Sequence, residues 1–321
     1  MVKLISKLNF RILAAVILVA SIGLCCFICE QRSPTEAATQ PLSRAAVSSA
    51  SVSTKSTAIL SSNDTNWAGY IVASDIQNPS PNVTSISASW TVPVVTVSSQ
   101  DTFSAVWIGI GGFFDSTLIQ TGTEQDSIQG QSQYSAWLEL LPQNSITIDN
   151  LTVSPGDEMN ASIELVDSNT DEWSIYIKDL TSNQEYTTSV FYASSQLSAE
   201  WIVERPEITS TRSRGTLANL ADVGSVKFTN CQTTIGNQTG TISSFPSVVS
   251  VMYQTVQRAT DLGVAQLAAV SELTNDGSSF TVETSPSAIP ELPVPVLILL
   301  PLIGVGLLVP IIRKRGRSSQ N

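Results

Sequence analysis

From Asn66 onward the chain is written in short runs in which apolar and polar residues alternate. Over residues 85–92, Ile86, Ala88, Trp90 and Val92 share one face, and Ser85, Ser87, Ser89 and Thr91 share the other. Residues 159–165 alternate Met159, Ala161, Ile163 and Leu165 with Asn160, Ser162 and Glu164. Residues 173–178 alternate Trp173, Ile175 and Ile177 with Ser174, Tyr176 and Lys178. Further strands are expected at 103–110, 116–121, 133–141, 145–153, 185–193, 198–204, 225–232, 247–255 and 278–283. Turn signals such as Pro155-Gly156-Asp157 and Asn275-Asp276-Gly277 separate many of them. Many half-buried strands define an all-β fold built as an antiparallel sandwich or barrel. A single helix is expected, at 259–268.

The two ends read differently. Lys3, Lys7 and Arg11 precede an apolar run over residues 12–29, the pattern of a signal peptide or an N-terminal signal anchor. Residues 31–61 are rich in Ser, Ala and Thr, which fits a flexible linker or a removable pro-segment. A second apolar run, 294–312, meets Arg313-Lys314-Arg315 and is long enough to span a bilayer. Both basic flanks then lie inside, leaving the middle of the chain outside. Ile289-Pro290-Glu291-Leu292-Pro293 also resembles archaeal sorting tails with a Pro-Glu-Phe-like signal, Leu292 standing in place of Phe. In such tails the segment is cut and replaced by an anchor. The expected organisation is a leader at 1–30, a linker or pro-segment at 31–61, a β domain at 62–285 and a transmembrane or sorting segment at 286–321.

The chain contains no histidine. That removes the Ser-His-Asp and Cys-His routes to a nucleophile, and zinc sites built on imidazole. Of the four cysteines, Cys25, Cys26 and Cys29 sit in the leader and Cys231 stands alone in the body, so no metal cluster or cofactor is expected. Any hydrolytic chemistry must come from carboxylates, amides, hydroxyls or lysine. Between residues 62 and 290 the only bases are Lys178, Arg205, Arg212, Arg214, Lys227 and Arg258, and the whole chain carries a formal charge of −11. Nucleic acid is excluded as a partner on that balance. The acidic surface fits either acid tolerance or simple solubility.

Three stretches hold the candidate chemistry. In Ser198-Ala199-Glu200-Trp201-Ile202-Val203-Glu204, period two places Glu200, Ile202 and Glu204 on one face and Ala199, Trp201 and Val203 on the other. In Leu118-Ile119-Gln120-Thr121-Gly122, Leu118 and Gln120 share a face. Ala105-Val106-Trp107-Ile108-Gly109-Ile110-Gly111-Gly112 is glycine-rich without the strand-turn-helix order of a phosphate loop.

These motifs, in this order, resemble the glutamic peptidases called eqolisins. The likeness runs from Asn66-Trp67-Ala68-Gly69-Tyr70 through Trp90-Thr91-Val92-Pro93, the three stretches above, and Ala136-Trp137-Leu138-Glu139. It continues to Phe228-Thr229-Asn230-Cys231 and Ser279-Phe280-Thr281-Val282. The resemblance implies a double β-sandwich of two antiparallel sheets, of the concanavalin A-like or jelly-roll type. It also implies a catalytic pair of Glu200 and Gln120, with Trp107, Glu139, Trp137 and Gly111 lining the cleft. In that chemistry Glu200 takes a proton from water and Gln120 steadies the oxyanion. To stay ionised in acid, Glu200 needs hydrogen bonds to its charged form. Polypeptide substrates, a membrane anchor and a monomer are expected. Two departures bear on pH: fungal members have Asp where this chain has Gly111, and an acid where it has Ser135. The competing reading is a non-catalytic sandwich that binds carbohydrate or protein at the cell surface. Glu204 is expected to be solvated or structural.

Overall fold

The computed structural model describes residues 60–210, 213–257 and 262–285. Residues 1–59, where the leader and most of the linker or pro-segment are expected, and residues 286–321, the expected transmembrane or sorting segment, lie outside the described residues. The first strands are β1 (Leu60–Asp64), β2 (Trp67–Val72), β3 (Val83–Thr91), β4 (Ala105–Gly111), β5 (Leu118–Ile128) and β6 (Gln131–Leu140). There follow β7 (Ile146–Thr147), β8 (Glu158–Asp167), β9 (Glu172–Asp179), β10 (Glu185–Phe191), β11 (Ala199–Glu204) and β12 (Glu207–Ser210). The last are β13 (Ser213–Leu217), β14 (Ser225–Ile235), β15 (Gln238–Thr241), β16 (Ser247–Gln257), β17 (Leu262–Val270) and β18 (Phe280–Thr284). Among the described residues the one helical turn is the short 3₁₀ segment Ile242–Ser244.

Sixteen strands join in one hydrogen-bonded ladder, in the order β10-β9-β8-β3-β14-β18-β17-β16-β2-β11-β4-β5-β6-β7, with β1 on β16 and β15 on β14. β12 and β13 form a separate hairpin. Pairing is antiparallel throughout the path, and β1 runs parallel to β16. β16 is the joint. Its first residues pair with β2 (Ser247↔Val72 to Ser250↔Gly69), and its later ones pair with β17 (Met252↔Ala268 to Gln257↔Leu262). The ladder therefore passes unbroken from one half to the other.

The two halves pack face to face. Trp201 on β11 donates its indole N–H to Ser87 O on β3 at 3.0 Å, and Trp90 on β3 donates to Thr123 Oγ1 on β5 at 3.1 Å. Between them lies a core that includes Tyr70, Ile86, Trp90, Ile108, Ile110, Trp201 and Phe228, all buried. Each large apolar side chain removed from water contributes roughly 2–3 kcal/mol, and the polar tips of the tryptophans have partners, as buried indoles require. The inward residues of β3, β8 and β9 are those that the alternation assigns to one face: Ile86, Ala88 and Trp90, then Met159, Ala161 and Ile163, then Trp173, Ile175 and Ile177.

Two expectations change. The described part of the expected helix, from residue 262 onward, is strand β17, held between β16 and β18; residues 259–261 lie outside the described residues. The run Leu262-Gly-Val-Ala-Gln-Leu-Ala-Ala-Val has weak period, and its two neighbours decide its state by tertiary pairing. The strand expected at 145–153 is the two-residue β7, after which the chain turns through Ile148 and Leu151 into the core.

Candidate active site

The outer face of β2, β11, β4, β5 and β6 carries the chemistry. Cross-strand register sets Ile71, Glu200, Gly109, Gln120 and Glu139 in one row. The next row reads Gly69, Ile202, Trp107, Gly122 and Trp137. The one after reads Trp67, Glu204, Ala105, Glu124 and Ser135. Glu200 and Gln120 are thus two strand spacings apart, about 9.6 Å along the sheet, and the residue between them has no side chain.

Glycine recurs here because large neighbours need the room. A Cβ on Gly109 would lie 2.8 Å from Leu118 Cδ1 and 2.9 Å from Trp107 Cζ3. One on Gly122 would lie 2.2 Å from Val106 O and 2.6 Å from Trp107 Cβ. Gly122 does not end its strand. It lets the β4 backbone at Val106 and Trp107 approach closely, and β5 continues to Ile128.

Gln120 is buried, and its Nε2 donates to Glu139 Oε2 at 2.6 Å. Its Oε1 has no partner, nor does either oxygen of Glu200, which is fully buried. Ser198 Oγ lies close enough to ease the burden on Glu200, yet neither group has a partner at hydrogen-bonding geometry. Burial among Ile71, Trp107, Leu118 and Ile202 pushes the Glu200 carboxyl well above its ordinary value; Ser198 opposes this, and the charge of Asp115 adds to it. The expected donors to an ionised Glu200 are therefore absent among the described residues, and the shift runs opposite to the one expected for strong acid.

The other carboxyls of this face move the same way. Burial raises Glu139, against the pull of the Gln120 bond. It raises Glu124, which Ser135 Oγ touches at 3.3 Å. It lifts Asp126 to about 7, helped by the charge of Glu124 and opposed by the Ser104 N–H. It lifts Glu204 to about 7, opposed by the indole N–H groups of Trp107 and Trp67.

Such shifts have a consequence for stability. Folded groups with raised values hold protons that the unfolded chain has released, so their contribution is complete below the ordinary carboxylate range. It is lost as pH climbs through about 7, the value of Glu204 and Asp126. Asp276, lowered to about 2, works in the opposite sense only below that window. The expected result by calorimetry is a Tm at pH 8 at least about 5 °C below that at pH 4.5. The double variant Glu204→Gln, Asp126→Asn should flatten the slope. A Tm that climbs from pH 4.5 to 8 would contradict the assignment.

Trp107 and Trp137 flank Gly122, both buried, and Trp137 Nε1 has no partner. Gly111 adopts φ +90° opposite Leu118, and a Cβ there would meet Thr117 O at 2.4 Å. An aspartate at this position would be strained, so the departure from the fungal pattern is built into the backbone. Cys231 is a buried free thiol. Sequence reasoning missed Tyr192, whose hydroxyl accepts from Leu118 N at 2.7 Å and donates to Leu141 O at 2.9 Å. It ties the start of β5 to the end of β6, the two strands that carry Gln120 and Glu139. No local pattern marks it.

The fold has known counterparts. The structure of scytalido-glutamic peptidase with a transition state analog inhibitor superposes with a TM-score of 0.56 at 21% identity, covering 69% of this chain and 99% of that one. It shows a shared fold. By sequence, Aspergillopepsin-2 of Aspergillus niger is 28% identical over 198 residues, 54% of this chain and 66% of that protein. Scytalidopepsin B of Scytalidium lignicola is 28% identical over 181 residues, 53% of this chain and 64% of that protein. The aligned parts thus span a little under two thirds of these relatives. The Peptidase A4 family profile matches residues 65–271, and the chain belongs to that family.

Proposed function

We propose that this protein is an endopeptidase in which Glu200 and Gln120 activate water against a peptide bond. The observation that carries the reading is the row itself: a carboxyl and an amide on one buried face, separated only by Gly109. Glu200, ionised, takes a proton from water while the water oxygen bonds to the scissile carbonyl carbon. The second N–H of Gln120 Nε2 steadies the oxyanion, its first being held by Glu139. Glu200 then returns the proton to the amide nitrogen, the C–N bond breaks, and an acid and an amine leave. Trp107, Trp137 and Gly111 form the walls of the cleft. Membership of the Peptidase A4 family supports polypeptides as the substrates and disfavours the non-catalytic binding module.

Because Glu200 is raised and must ionise to act, the reaction belongs to weak rather than strong acid. The wider reading is a double β-sandwich, exported and anchored at the outer face of the cell membrane, acting as a monomer. The basic flanks of the two apolar ends support the export and anchoring. No helix among the described residues is long and apolar enough to cross a membrane.

The test is the full chain incubated with an unfolded polypeptide from pH 2 to 8, followed by mass spectrometry of the fragments. Internal cleavage is expected, with the acid limb of the rate profile above the ordinary glutamate value. Folded protein that cuts nothing across the whole range sinks the reading.

A further inference from the structure

Glu204 touches neither member of the pair, yet the packing links it to both. Its Oε2 accepts the indole N–H of Trp107 at 2.7 Å, a short hydrogen bond. The far edge of the same indole reaches Gly109: Cζ3 stands 2.9 Å from where a glycine Cβ would be. The ring therefore spans from Glu204 at one end to the gap between Glu200 and Gln120 at the other. Trp107 is fully buried and is also held edge-on by Trp67, ring centres 5.1 Å apart at 77°.

The support behind Glu204 is equally fixed. Its Oε1 accepts from Asn66 Nδ2 at 3.4 Å. Asn66 N donates to Asp64 Oδ1 at 2.9 Å, and Asn66 O accepts from Arg205 N at 2.8 Å. Trp67 O accepts from Ser250 Oγ at 3.1 Å, and Trp67 is the register partner of Glu204. Asn66, Trp67 and Glu204 thus form one bracket around the indole, built from two neighbouring strands and the turn before them.

We infer that Glu204 is a positioning residue for the proposed reaction: by holding the Trp107 indole it sets the wall that closes the gap between Glu200 and Gln120. Without the acceptor, the buried indole N–H loses its partner and the ring is free to tilt into the space over Gly109. A group that only stabilised the fold would change Tm and leave turnover per folded molecule alone.

The inference rests on the peptidase reading, and the experiment separates the two. Glu204→Leu and Glu204→Gln are compared in the full chain with wild type. Glutamine keeps an oxygen acceptor for the indole; leucine does not. Expected for Glu204→Leu is a loss of about 10- to 100-fold in kcat per folded molecule, with KM moving less than about threefold. Glu204→Gln should recover most of that loss. The Trp107 indole N–H resonance, identified by its disappearance in Trp107→Phe, should move upfield in the leucine variant and stay near its place in the glutamine variant. That resonance is read whether or not the protein cleaves peptides, so inactive wild type overturns the function and leaves this test standing. An unmoved resonance in folded Glu204→Leu overturns the positioning role. So does a Glu204→Gln variant as slow as the leucine one.

Discussion

Glu200→Gln is expected to lower peptide hydrolysis by at least about 10³-fold while the protein stays folded. The amide matches the carboxylate in size, so the row across β11, β4 and β5 keeps its packing, but it cannot take a proton from water. Stability provides a second, independent readout. Glu200 is fully buried with no donor to either oxygen, and burial raises it well above its ordinary value. At pH 8 a buried carboxyl either keeps its proton at a cost or ionises at a greater one, and glutamine avoids both. Glu200→Gln should therefore raise Tm at pH 8 and leave it nearly unchanged at pH 4.5, where both side chains are neutral. Full activity in the variant would remove Glu200 from the chemistry. A fall in Tm at pH 8 would show that the carboxyl is better solvated than its burial implies.

Gln120→Ala comes next in size. A preorganised donor to an oxyanion is worth roughly 3 kcal/mol of barrier, so kcat should fall about 10²- to 10³-fold with a small change in KM. The variant has a second effect. Gln120 Nε2 is the 2.6 Å donor to Glu139, and that bond holds the Glu139 carboxyl down against its burial. Without it Glu139 rises further. Residual activity should follow a pH profile displaced upward from wild type, measurable by steady-state kinetics from pH 3 to 8. If kcat survives and only KM rises, Gln120 binds substrate without acting in the transition state.

How much of this was legible in the chain varies from strand to strand. Alternation alone sorted Glu200, Ile202 and Glu204 from Ala199, Trp201 and Val203, and the structure keeps that division. It paired Leu118 with Gln120 in the same way. It could not put β5 beside β4, because strand order is set by pairing over long sequence separations. The motif resemblance supplied that link. Gly122 reads locally as a stop, and only the close approach of the β4 backbone at Val106 and Trp107 explains a glycine inside a strand that continues. Of the helix expected at 259–268, the part from residue 262 is strand, because alanines carry little period and two neighbouring strands decide the outcome. Alternation leaves Glu204 either solvated or structural, and its bond to Trp107 removes the solvated reading. Tyr192 was invisible because its hydroxyl serves two backbone groups distant in sequence.

The unsubstituted place of Gly109 between Glu200 and Gln120 has one more consequence. The interval between acid and amide is ruled by the main-chain ladder, not by the side chains that happen to fill it. Every position on this face then has a coordinate, strand by row, which a change of side chain does not shift. The surface behaves as a pegboard: groups can be lifted out and exchanged at one hole while the spacing of the others stands. A new acid, amide or hydroxyl set at Ala105 would arrive at a known distance from Glu200 before any contact is optimised, whereas Gly122 has no room for a Cβ. The limit is equally plain. A one-residue slip of β4 would turn its whole set of pegs to the inside, so the frame tolerates exchange and forbids sliding.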